Sequence, residues 1–233
     1  MGFTHVQGTS AHETAATSWT LSLGSNPSTG NTVVVAVFIG NSVVPSSITV
    51  QDGNNNTYAA STHSPFDDHA SSGGIYGFYY LVNAPANASK AITVTFGSGS
   101  PGGTLWLEEF GGGVAVFDKD ATGNQTFAGT SFTGVSIIPT GSNELLYCFG
   151  SALGGNLTNP LADATQGVWT GAHGGIDALS GGDAEYVLSA SGSTGCNFTD
   201  GQTGDTGGAI LIAFTQQTGD VITTENSYQI TVS

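Results

Sequence analysis

The sequence predicts an all-β protein, an antiparallel β-sandwich or jelly roll of about a dozen strands with no substantial helix. Three observations carry that prediction. Apolar and polar residues alternate with a period of two, some runs are apolar at every position, and turn-forming clusters separate these segments at short spacing.

The alternation comes first. Trp19, Leu21 and Leu23 interleave with Ser18, Thr20 and Ser22, and Ile92, Val94 and Phe96 interleave with Thr93 and Thr95. Successive side chains of a strand point to opposite faces, so these segments have one face in a core and one in water. The continuous runs differ: residues 32–39 and residues 209–214 (AILIAF) are apolar on both faces, as expected of strands covered on both sides. Between the runs lie NPSTGN, DGNNN, GSGSPGG, FGGG, PTGSN, GSTG and DGQTGDTGG, and the 36 glycines make most of them competent for tight turns. No stretch of about 12 residues carries the apolar stripe of an amphipathic helix.

Composition does not shift before residue 216, so residues 1–216 are expected to form a single β-sandwich domain. Residues 217–233 close with VITTENSYQITVS, a polar, β-prone tail that reads as a strand offered to a neighbouring subunit. With 38% apolar residues, the chain can fill a core.

Charge narrows the partners. Seventeen carboxylates face two lysines, Lys90 and Lys119, and no arginine, giving a net charge of -15. Binding to nucleic acid needs cations to neutralise phosphates, and an anionic membrane surface repels this balance, so neither partner is expected. The run VVVAVFI is far shorter than the roughly 20 residues that cross a bilayer. The opening MGFTHVQGTS has no basic n-region and no apolar h-region. The expectation is either a leader already removed or synthesis in the cytosol with release by lysis or assembly.

The succession GNTVVVAVFIGN, ITVQDGNNNTYAAS, YYLVNAPANASKAITVTF, LWLEEFGGG, SNELLYCFG, AEYVLSASG and AILIAF resembles an uncharacterised Gly/Ser/Thr-rich β-sandwich module. Such modules occur in secreted bacterial proteins and in phage-associated structural proteins. The resemblance spans roughly residues 4–215, implies the sandwich fold, and transfers no active site.

Candidate sites lie where chemistry-bearing residues gather. QDGNNNTY, residues 51–58, fails the spacing of a calcium loop, because Gly53 follows Asp52 directly and Asn54, Asn55 and Asn56 are neutral. It reads as a strand connection. The loop HSPFDDHASS carries His63, Asp67, Asp68 and His69, the densest set of metal-capable side chains in the chain and the candidate metal site. Glu108 and Glu109 are adjacent on a strand and therefore face opposite ways, which prevents them from acting as a glycosidase pair with each other. A partner for one of them, Glu144, Glu185 or Asp183, would have to come from across the sheet; a surface position is the commoner outcome.

Trp169 and Tyr58 are the candidate ligand contacts, as rings that could stack on a sugar. Cys148 and Cys196 form either one disulfide or two buried thiols. No nucleophile elbow and no phosphate-binding glycine pattern occurs. No cofactor is implied.

These features point to a non-enzymatic structural protein on the outer surface of a phage virion, a head decoration, spike or fibre component that acts by self-assembly as a homo-oligomer or with other virion proteins. The alternative is a secreted, extracellular bacterial module for carbohydrate binding or adhesion, with a glycan as partner.

Overall fold

The computed structural model describes residues 2–40, 43–68, 74–126, 131–132, 135–153, 157–158, 169–171, 182–196, 198–200 and 206–217. Among the described residues every regular element is a strand and every pairing is antiparallel, which is the predicted fold class.

The N-terminal half holds β1 (Thr4–Glu13), β2 (Ser18–Ser22), β3 (Thr32–Ile39), β4 (Ile48–Asp52), β5 (Ala59–Ala60), β6 (Phe66–Asp67), β7 (Ile75–Leu81), β8 (Ala91–Phe96) and β9 (Gly103–Gly111). The C-terminal half holds β10 (Ala115–Thr126), β11 (Ser131–Phe132), β12 (Ser136–Ile137), β13 (Glu144–Leu153) and β14 (Leu157–Thr158). It continues with β15 (Thr170–Gly171), β16 (Gly182–Ala190), β17 (Thr194–Gly195), β18 (Phe198–Asp200) and β19 (Thr206–Gln216).

In the first half the large sheet runs β1-β9-β3-β7-β5, with β6 also on β7, and the smaller sheet runs β2-β8-β4. This is jelly-roll order. The second half repeats it. Its large sheet runs β10-β19-β13-β16-β15 and its smaller sheet β11-β18-β14, with β12-β17 beside it. Where the sequence predicts one sandwich, strand pairing gives two jelly-roll units in tandem. The repeat extends to irregularities: β1 has a register shift between His5 and Gln7, and β10 has one between Phe117 and Lys119.

Three cores follow from this arrangement. Val33, Val35, Val37, Leu105 and Leu107 meet Trp19, Val50, Ile92 and Val94 inside the first unit. Leu146, Cys148 and Leu211 meet Val135, Ile137, Trp169 and Phe198 inside the second. The outer faces of the two large sheets pack on each other, joining Phe38, Phe78, Trp106 and Phe110 to Tyr147, Phe149, Ile210 and Phe214.

That stacking explains the doubly apolar runs. Every residue of β3 is buried, as are the residues from Gly207 to Phe214 in β19, because each strand has a core on both sides. The alternating β2 and β8 belong to the outer sheet of the first unit and leave Ser18, Thr20 and Thr95 in water.

Of the tail expected at 217–233, Gln217 is described and donates its N–H to Val114 O. The rest lies outside the described residues.

Candidate functional site

Among the described residues, several buried polar groups sit where strands and units meet. The row through the middle of each large sheet shows how. In the first unit it reads Gly8, Glu108, Val34, Tyr80, Ala59, and in the second Asp120, Ile212, Tyr147, Tyr186, Thr170. Each row carries one acid, on a different strand.

Glu108 points into the core between the large sheets and lies 2.6 Å from His5 Nε2. A Cβ at position 8 would fall on the Glu108 carboxylate, so glycine there leaves the carboxylate room over β1. His5 stacks on Tyr186 of the other unit, ring centroids 5.0 Å apart and nearly parallel, and meets the edge of Phe110. Phe117 repeats the arrangement from the second unit, stacking on Tyr80 at 5.3 Å and meeting the edge of Phe214. Both rings sit just before the bulge of their strand. The bulge turns them inward.

The carboxylate of the second row, Asp120, accepts the backbone N–H of His63 at 2.7 Å, and its other oxygen lies 2.7 Å from His63 Nδ1. Nearby, Asn124 donates to Asp68 Oδ1 at 2.9 Å. The loop predicted as a metal site therefore docks on β10 of the other unit. His63 faces Asp120, Asp68 is buried against Asn124, and Asp67 is exposed. Among the described residues these three do not form a group with metal-ligand spacing; the group that does is Cys148, Glu185 and Cys196. His69 lies outside the described residues.

Asp52 settles what its loop does. Its Oδ1 accepts the N–H groups of Asn54 and Asn56, and its Oδ2 accepts Asn56 Nδ2 and the N–H of Ser89. Burial alone would raise this carboxyl, but the bonds from Asn56, Ser89 and Asn54 together hold it below its ordinary value. Asn55 takes the positive φ of the turn, 64°, and Tyr58 N–H donates to Val50 O. The stretch is a self-capped strand connection, as its spacing predicts.

The two aromatic candidates are corrections. Tyr58 is 3% exposed and Trp169 5%, too little to offer a ring face to a sugar. Tyr58 belongs to the core of the first unit, where burial raises its hydroxyl well above the ordinary value. Trp169 belongs to that of the second, where its Nε1 donates to Gly195 O at 3.0 Å. Both sit in runs too rich in glycine and polar residues for their burial to show in the sequence.

Glu108 and Glu109 do face opposite ways, but neither is on the surface. Glu109 accepts Ser28 N–H at 2.8 Å and Asn31 Nδ2 at 2.6 Å on one oxygen and Gln7 Nε2 on the other. It ties β1 and the turn before β3 to β9. Glu144 plays a similar part at the head of β13 by accepting Gly141 N–H. Burial and the neighbouring Asp118 raise its carboxyl, against the Gly141 bond.

Cys148 and Cys196 are joined in a disulfide, which fixes β13 to the residue directly after β17. Asp183 is fully buried, accepts Ala184 N–H, and is pushed up to about 7 by burial. The sequence does not reveal the joints His5–Glu108 and His63–Asp120 or the burial of Asp183. The available signal was an acid inside an otherwise apolar strand, as in LWLEEF and DAEYVL.

No protein-family model matches the chain, and no curated protein does. Among solved structures, it is similar to the major capsid protein P2 from bacteriophage PM2, at 10% identity over 93% of this chain and 98% of that one, with a TM-score of 0.30.

Proposed function

We propose that this chain is a non-enzymatic structural protein of the outer surface of a phage virion, working by assembly with copies of itself or with other virion proteins. The observation that carries the reading is the tandem jelly roll. Two units of the same strand order packed back to back make a stiff block, and jelly rolls serve viral capsids, lectins and cupins.

Other features favour the first of these. His5, Glu108, His63, Asp120 and Glu109 hold strands and units together, which is an architectural use of these groups. Tyr58 and Trp169 are core residues, which removes the two rings on which a glycan-binding module rested. A net charge of -15 without arginine suits an outer face and not the lining of packaged nucleic acid.

Size-exclusion chromatography with light scattering on the full chain tests the assembly. Discrete multimers are expected at high concentration, and labelling with an antibody should decorate particles from the native source in electron micrographs. A strict monomer that is absent from particles would overturn the proposal.

A further inference from the structure

The core on the outer side of the second large sheet brings together two sulfurs and a carboxylate. Cys148 on β13 and Glu185 on β16 are register partners. Cys196, directly after β17, reaches the same point from the covering layer, where its N–H donates to Val135 O at 3.0 Å. The two Sγ atoms and a Glu185 carboxylate oxygen all lie within 4.8 Å of one another. All three residues are buried, in surroundings that include Leu146, Trp169, Val187 and Leu211.

Two thiolates and a carboxylate are the donors of a borderline-soft divalent cation such as zinc, whereas calcium and magnesium take oxygen alone.

We propose that Cys148, Cys196 and Glu185 form a zinc-type metal site in the reduced protein, so that the metal and the disulfide are alternative occupants of one position. Strand register presents Cys148 and Glu185 side by side, and the bond from its N–H to Val135 O anchors Cys196 beside them. Two electrons and two protons convert the disulfide to two thiols. Zinc uptake then releases both thiol protons and leaves three anionic ligands around a doubly charged ion. In a reducing compartment a small-molecule thiol supplies the two electrons, becoming its own disulfide, and the site holds metal. A small-molecule disulfide takes the two electrons back, is cleaved to two thiols, and releases the ion as the Cys148–Cys196 bond forms.

The test uses the full chain. A trialkylphosphine supplies the two electrons and becomes the phosphine oxide with oxygen from water, while two protons go to the sulfurs. Cobalt(II) is then titrated in as a spectroscopic stand-in, followed by zinc as competitor, with circular dichroism to follow the β signal.

The expected result is a single equivalent of cobalt with thiolate-to-metal absorption and the visible bands of four-coordinate cobalt, displaced by zinc and absent from the oxidised protein. Glu185→Gln, which keeps both thiols, should weaken binding at least about tenfold, the size of effect that even an outer-shell partner has. Cys196→Ser should abolish it. No uptake, equal affinity in Glu185→Gln, or equal affinity when the reduced chain is held in urea would each overturn the site, since the last two would mean that metal binds two thiols without the fold. Loss of the β signal on reduction that zinc does not restore would overturn it as well.

Discussion

The two units share a strand order and a bulge position, yet the central row of each large sheet is filled differently. The first places a glutamate on β9 opposite a glycine on β1, and the second an aspartate on β10 opposite an isoleucine on β19. Glu108 is answered by a histidine of its own unit, whereas Asp120 is answered by His63, which reaches across from the first unit. Packing tolerates either solution because in each row the one acid has a histidine within hydrogen-bond reach. Strand order is set by backbone pairing, while the position of a buried charge is set by which neighbour can meet it.

Several changes would break or sharpen that comparison. Phe149 belongs to the second unit but meets Phe38, Tyr76, Phe78 and Trp106 of the first. Phe149→Ala should cost about 3–5 kcal/mol and separate the unfolding of the two units, read from urea titrations followed by more than one probe.

His5→Phe copies the Phe117 of the second unit but leaves Glu108 buried without its histidine, at a cost of about 3–5 kcal/mol. Adding Glu108→Ile, which copies Ile212, should recover most of that loss. A double-mutant cycle measures the recovery, and strict additivity would mean that the rows are not interchangeable.

Asp183 gives a pH signature confined to the second unit. Its carboxyl is raised by burial to about 7, so between about pH 4 and that value the folded chain holds a proton that the unfolded chain has lost. Its contribution to stability is therefore full at the acid end and declines as pH rises across the window, by at most about 1.4 kcal/mol per pH unit. Asp183→Asn should flatten that slope in denaturation midpoints measured from pH 4 to pH 8.

His63 is half exposed at the side chain, so His63→Ala should cost no more than about 1 kcal/mol by thermal melt. Tyr147→Phe removes a buried hydroxyl that has no hydrogen-bond partner among the described residues, and should leave the melting temperature unchanged or slightly raised.

Much of the fold was legible. Trp19, Leu21 and Leu23 announced a half-wet strand, 32–39 and 209–214 announced strands covered twice, and DGNNN announced a turn. The duplication was harder to see, although NTVVVAVFIG and NELLYCFGS hold equivalent strands and differ at most positions. Apolar pattern survives such divergence and residue identity does not. The site was the least legible part, because the loop with the most metal-capable residues spends two of them on β10, and the rings that looked available are in cores.

The sequence by itself determined the β class, the positions of the strands and turns, and the anionic surface, since these follow from local periodicity, backbone preference and charge count. Only the tertiary structure decided that there are two units, that Glu108 meets His5 and Asp120 meets His63, and that Cys148, Cys196 and Glu185 converge. Those contacts join residues tens of positions apart or more, and their geometry depends on the register and stacking of whole sheets, which no local pattern encodes.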